Sequence, residues 1–408
     1  MEAVSPPGDS TPADLATRLI HHPYRPPTTF DALPPAVHKA STVFFSSVDE
    51  LRTREWKDKS GYTYGLHGTP TTFTLEARIA TLEGGEHCVL APSGLSAITL
   101  VDMAFLRQGD EVLLPDNAYG PGKAFAQTEL RHWGVSLQFY DPLNPADLAA
   151  RMGPATRLVW LEAPGSVTLE FPDLPALTRV VAQANAQRSA PRQVLTALDN
   201  TWGAGVAFCG FDLGADIVMQ ALTKYPSGGA DVLMGSVVTR DPTLHQQLLL
   251  THMRLGLGVG ANDAELVLRG LPTLSVRYRA QDDSTRSLAQ WMAQQPEVQQ
   301  VFHPALQHSP GHAAWARDAR AAGCLFSAVF QPQHNAAHID RFCNRLQRFR
   351  LGWSWAGPVS LCAPYDVTAL RTWPWPHPGT LVRFAVGLEH VDDLRADLRQ
   401  ALDSLGQP

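Results

Sequence analysis

Ile217-Val218-Met219-Gln220-Ala221-Leu222-Thr223-Lys224-Tyr225 is an apolar run of strand length that ends on Thr-Lys-Tyr and continues into Gly228-Gly229. A strand with that ending leaves one ammonium at the carboxyl edge of a sheet, where open α/β folds keep their ligands. A lysine in apolar surroundings has a depressed pKa and can act as a nucleophile. Outward from this run, strands are predicted at 111–114, 156–161, 194–198 and 232–238. Helix-period segments at 124–133 and 174–187 separate some of them. Strands alternating with helices predict βαβ units and a mostly parallel sheet. After about Gly260 the pattern changes to helical stretches at 264–269, 287–294 and 336–349 with fewer strands, which predicts a smaller carboxy-terminal α+β domain.

A chain of 408 residues is too long for one core of ordinary size. With 44% hydrophobic residues it can bury large ones. A net charge of -6 and scattered Lys and Arg give no basic stripe, which argues against nucleic acid as a partner. The longest apolar candidate, residues 89–105, is broken by Pro92, Gly94 and Asp102, so no membrane span is expected. Residues 1–35 are rich in Pro, Ser and Thr and show no basic patch followed by an apolar stretch, so no secretory signal is expected. Cys88, Cys209, Cys324, Cys343 and Cys362 lie far apart, with no metal-ligand spacing. They read as reduced thiols of a cytoplasmic protein, and no metal is expected. There is no internal repeat.

Three other sites complement Lys224. Asp199 ends the strand at 194–198 and suits a carboxylate held against a cation; a helix N-cap or turn Asp has the same look. Ser93-Gly94-Leu95-Ser96-Ala97 opens the helical run at 98–106, and free N–H groups at such a start bind phosphate. Tyr119, after the strand at 111–114, suits stacking on a flat ring, or packing. A flat, phosphorylated heteroaromatic aldehyde uses all four: the lysine forms a Schiff base and the aspartate keeps a pyridine nitrogen protonated. That ligand is pyridoxal 5'-phosphate (PLP).

From about Ala40 onward the chain also resembles the PLP-dependent enzymes of cysteine and methionine metabolism. The resemblance rests on Tyr64-Gly65-Leu66-His67-Gly68-Thr69-Pro70-Thr71, Leu82-Glu83-Gly84-Gly85, Ser93 to Ala97, Asp199-Asn200-Thr201-Trp202, Thr223-Lys224-Tyr225, Arg269-Gly270-Leu271-Pro272-Thr273-Leu274 and Arg383-Phe384-Ala385-Val386-Gly387-Leu388-Glu389, in family order. Pro164-Gly165-Ser166 and Trp353-Ser354-Trp355-Ala356-Gly357 look like its β-lyase branch.

The resemblance implies an aspartate-aminotransferase-like α/β fold (fold type I) with three parts. An amino-terminal arm at 1–62 contributes to a neighbouring subunit, a PLP-binding large domain spans 63–262, and a small domain spans 263–408. It implies catalytic roles for Lys224, Tyr119 and Asp199. The cofactor is to be held by Lys224, Asp199, Tyr119, Gly94, Leu95, Thr223 and, from a neighbouring subunit, Tyr64. The amino-acid substrate is to be held by Arg383, Ser354, Trp355 and Tyr119. The implied assembly is a homo-oligomer, at least a dimer and commonly a tetramer. The implied reaction is carbon–sulfur β-cleavage of L-cystathionine to homocysteine, pyruvate and ammonia, in methionine biosynthesis. A cysteine or cystine desulfhydrase, a γ-acting lyase and a PLP-fold regulatory protein without turnover are the alternatives. Four positions depart from the family pattern. Leu66 stands where an arginine binds phosphate, Ala221 replaces a serine, Gly228-Gly229-Ala230 replaces Gly-His-Ser, and Val359 replaces a glutamate. His67, beside Leu66, reads as a turn histidine without a ligand.

Overall fold

Seven strands form the larger of two sheets: β1 (His87–Ala91), β2 (Glu111–Pro115), β3 (Ser136–Tyr140), β4 (Thr156–Glu162), β5 (Leu195–Asp199), β6 (Ile217–Ala221) and β7 (Gly235–Thr239). Their spatial order is β1-β7-β6-β5-β4-β2-β3. Neighbours from β3 through β6 run parallel, and β7 is antiparallel to both β6 and β1. The computed structural model describes residues 32, 34–189, 192–377 and 379–406. The chain divides into two units, Met1–Ala36 and Val37–Pro408. Residues 1–31 and 33 of the expected arm lie outside the described residues, and everything below concerns the second unit.

Except for the edge strand β3, the strands are largely buried on both faces, as strands covered by helices on either side must be. Val112, Leu114, Leu158, Trp160, Ile217 and Met219 point to one core, which the helix Gly94–Phe105 closes with Leu100, Val101 and Ala104. Leu113, Val159, Leu161 and Val218 point to the other, under Leu75 and Ile79 of helix Pro70–Glu83 and Leu177 and Val181 of helix Leu174–Asn185. Each such side chain stabilises the fold by about 1.5–3 kcal/mol. A one-residue slip would swap the faces. The register, and with it the polar residues at the strand ends, is thereby fixed.

Two strands of this sheet, β1 and β3, were not anticipated. The strand expected at 232–238 begins only at Gly235, because Met234 is drawn out of the ladder. Its N–H donates to Thr223 Oγ1 (3.1 Å) and its carbonyl accepts from the same hydroxyl (3.2 Å). The smaller sheet, in the order β10-β11-β12-β9-β8, contains β8 (Val298–Phe302), β9 (Leu325–Phe330), β10 (Arg350–Leu351), β11 (Leu361–Tyr365) and β12 (Leu381–Ala385). One face (Leu325, Val329, Leu381, Ala385) joins a core of the large sheet. The other (Phe326, Phe330, Phe384) packs on helices Ala336–Arg345 and Val391–Leu402. No residue from 37 to 68 is buried, and Phe44 is 94% exposed.

Candidate active site

The carboxyl ends of β2, β4, β5 and β6 and the amino end of helix Gly94–Phe105 meet at a cavity of 730 Å³. Gly94, Leu95, Tyr119, Asp199, Thr223, Lys224, Ser354, Trp355 and Arg383 all line it. Tyr64, the remaining expected residue, does not. It precedes the short turn Gly65–His67, bridges to Thr42 and is half exposed.

Lys224 sits in a turn closed by its N–H to the Ala221 carbonyl (3.1 Å) and by Gly228 N–H to its own carbonyl (2.9 Å). Gly228 has φ +66°, left-handed backbone that glycine adopts freely. The Lys224 Nζ donates to Ser354 Oγ and lies 5.4 Å from the centre of the Trp355 ring. Burial first, then the Arg383 guanidinium, lowers its pKa from 10.5 to about 8, against the opposing pull of Cys324 and Asp199. Ser354 and Ala356 have φ of 96° and 65°, so both residues flanking Trp355 occupy the left-handed region.

Asp199 Oδ1 accepts from the Thr201 N–H (2.9 Å) and hydroxyl, and Thr201 Oγ1 accepts from the Ala221 N–H (2.9 Å). This chain of bonds ties the ends of β5 and β6 together, so the carboxylate and the lysine are held on one frame. Burial raises the Asp199 carboxyl, and the Thr201 bonds and Lys224 pull it back. Glu162 stands beside Asp199 in register, and burial, then Asp199, pushes its carboxyl well above the usual range. Its Oε2 accepts the Tyr119 N–H (2.7 Å), which fixes the backbone from which the Tyr119 ring projects.

Arg383, in the middle of β12, is 8% exposed and lies 5.3 Å from the Tyr365 ring. Burial lowers its pKa, and the groups that oppose this are Tyr365, Cys324 and Tyr119, with no carboxylate among them. A guanidinium remains charged in any protein, and a buried charge needs a partner. The site therefore offers a planar cationic fork to an incoming anion.

At the other end, the Ser93 side chain and carbonyl take the N–H groups of Ser96 and Ala97 (both 3.0 Å). That leaves the helix-start N–H groups of Gly94 and Leu95 for an anion. A Cβ on Gly94 would lie 2.6 Å from that of Ala221, so only glycine keeps this cradle open. Leu66 and His67 are elsewhere: His67 stacks on Trp56 (ring centroids 4.5 Å) and its Nδ1 is 2.8 Å from Thr63 Oγ1. Donors at the helix start, a strand-end carboxylate and a lysine of lowered pKa thus fit PLP.

Fold and donor set together define a PLP-dependent enzyme of the fold type I class. The chain belongs to the family of Cys/Met metabolism PLP-dependent enzymes, which it matches over residues 16–403. It is 36% identical over 389 residues to cystathionine beta-lyase MetC of Escherichia coli (strain K12), covering 94% of this chain and 97% of that protein. It is 34% identical to a cystathionine gamma-synthase of Mycobacterium bovis, over 95% of this chain and 96% of the relative. Among solved structures, cystathionine gamma synthase from Xanthomonas oryzae pv. oryzae in complex with aminoacrylate and cysteine superposes with a TM-score of 0.83 at 30% identity, covering 97% of this chain and 99% of that one. No helix among the described residues is long and apolar enough to cross a membrane.

Sequence reasoning missed Glu162, Asp116, Lys123 and Arg371, which line the same cavity. The strand-end logic that found Asp199 finds Glu162 as well, since Glu162 is the last residue of β4. Asp116 directly follows β2 and carried the same signal. Arg371 had none, because its partners lie 201 to 255 positions away.

Proposed function

We propose that this chain cleaves the Cβ–S bond of L-cystathionine, giving homocysteine, pyruvate and ammonia. The observation that carries this is a lysine with pKa lowered to about 8 in one cavity with a buried arginine that has no carboxylate partner among the described residues. Bound PLP supplies an electron sink conjugated to the substrate Cα. Arg383 binds the α-carboxylate and orients the Cα–H bond toward Lys224. The Lys224 amine takes that proton, and Ser354 Oγ holds the amine in place between transfers. The same amine would return a proton to the departing sulfur. Asp199, whose carboxylate the two Thr201 bonds favour, would pair with the cofactor's ring nitrogen. Tyr119 would cover the ring, Trp355 would wall the substrate side, and Gly94, Leu95 and Thr223 would hold the phosphate.

We further propose a homo-oligomer, at least a dimer and as a tetramer in its working form, in which Tyr64 completes a neighbouring subunit's phosphate site. The unburied stretch 37–68, with exposed Phe44, Val48 and Leu51, supports a second copy of the chain as its cover. The division at 62/63 and 262/263 belongs to the same proposal, supported by the two sheets falling on either side of the second boundary. The five cysteines are all free, which supports a cytoplasmic setting.

Product analysis decides the reaction. The PLP-loaded protein is incubated with L-cystathionine and the keto acids are separated by chromatography; pyruvate with free homocysteine is expected. The gamma-synthase relative favours a γ-acting enzyme as the second reading, for which 2-oxobutyrate replaces pyruvate.

A further inference from the structure

Residues 366–372, between β11 and β12, form a roof on the cavity: Val367, Ala369, Leu370, Arg371 and Thr372 all line it. The roof is exposed except at Val367 and half-buried Arg371, so little apolar packing holds it down. Its ties run instead to two buried carboxylates, Asp116 and Glu170, and to Lys123. Arg371 Nε donates to Asp116 Oδ2 (2.8 Å) and the Thr372 N–H to Asp116 Oδ1 (2.7 Å). Arg371 Nη1 donates to Glu170 Oε1 (2.9 Å) and Thr168 Oγ1 (3.1 Å). Lys123 Nζ donates to the Leu370 and Asp116 carbonyls (2.6 Å each). Asp116 is fully buried and stands three residues before Tyr119. Burial, which would raise its carboxyl, is outweighed by the Thr372 N–H, Arg371 and Lys123, which hold it below the ordinary value.

We propose that Arg371 is a positioning residue that latches this roof onto the Tyr119 turn and so sets the size of leaving group the cavity accepts. The inference rests on the β-elimination reading. The planar fork of Arg371 spans Asp116 and Glu170 at once, which a lysine's point charge cannot do. Without it, Asp116 keeps only Lys123 and Thr372, and Glu170 keeps only the Asn117 amide (3.0 Å) and the Thr168 hydroxyl. The roof then loosens at the end that a bulky leaving group touches. A small one does not reach it.

The test uses Arg371→Met and Arg371→Lys in the PLP-loaded full chain, with L-cystathionine and with β-chloro-L-alanine, whose leaving group is a single chloride. Arg371→Met is expected to raise KM for L-cystathionine by about tenfold or more while kcat changes by less than about threefold, the scale of one lost charge-assisted contact. KM for β-chloro-L-alanine should change far less, and Arg371→Lys should recover part of the loss. In the cofactor-free protein, hydrogen exchange at amides 366–372 and 116–119 should accelerate in Arg371→Met and stay as in the wild type across β8 and β9. Equal loss with both substrates, or faster exchange with neither KM altered, overturns the inference. If wild type turns over neither substrate, the reaction reading fails on its own, and unaccelerated exchange still refutes the latch.

Discussion

Mixing the cofactor-free protein with PLP across a pH series measures the most consequential property of Lys224. Only a neutral amine attacks an aldehyde, so the rate of capture follows the fraction of Lys224 that has lost its proton. Lowering its pKa from 10.5 to about 8 makes neutral amine about 300 times more abundant at pH 7 than in an exposed lysine, a preference of about 3 kcal/mol. The assay is stopped-flow absorbance of the cofactor as it joins the protein, from pH 6 to 10. The rate should climb to a plateau with its midpoint near 8. Arg383→Met removes the second-largest cause of the lowering, so its midpoint should move upward while burial keeps it below 10.5. A profile that climbs without inflection to pH 10, or a midpoint indifferent to Arg383→Met, refutes the reasoning. The same shift has a sign in stability. The folded protein binds fewer protons than the unfolded chain between about 8 and 10.5, so this group makes stability of the cofactor-free protein rise with pH across that window.

Arg383→Ala should raise KM for amino-acid substrates and lower kcat/KM by roughly 10–100-fold, the worth of a charge-assisted fork; an unchanged KM removes Arg383 from carboxylate binding. Thr201→Val deletes the hydroxyl that bonds Asp199 and receives the Ala221 N–H, and urea unfolding should show a loss of about 1–3 kcal/mol; an unmoved midpoint contradicts that role. Buried Glu83 receives the Asn200 and Gln220 amides, and burial raises its pKa from 4.5 to about 8. The folded state then holds a proton the unfolded chain has lost, so stability falls as pH rises from about 4.5 to 8. Glu83→Gln should flatten that decline, and a slope as steep as wild type shows that Glu83 titrates normally.

Lys224 and Asp199 were legible because each ends an apolar run, and an apolar run that stops on a charge has few other meanings in a sheet of this type. The parallel sheet was legible for the same reason: β2, β4, β5 and β6 are largely buried on both faces and read as mostly apolar segments. β1 was not, since it flows into the apolar residues of helix Gly94–Phe105 with only Pro92-Ser93 between them. β3 is a partly exposed edge, and Ser136-Leu137-Gln138-Phe139-Tyr140 is too mixed to stand out. The phosphate end was half legible. Gly94 and Leu95 came from a helix-start pattern, whereas Tyr64 came from resemblance alone and lies outside the cavity. The Arg371 cluster could not be read locally at all, because three distant segments supply one network.

Left-handed backbone on both sides of Trp355 constrains how this enzyme can be redesigned. Ser354 and Ala356 hold φ of 96° and 65°, a region where a β-branched side chain is strained by about 1–3 kcal/mol. Position 355 itself carries no such constraint. A library meant to broaden substrate range can therefore vary Trp355 more freely than its neighbours, whereas members that place Val, Ile or Thr at 354 or 356 carry that strain as a loss of stability whatever their selectivity.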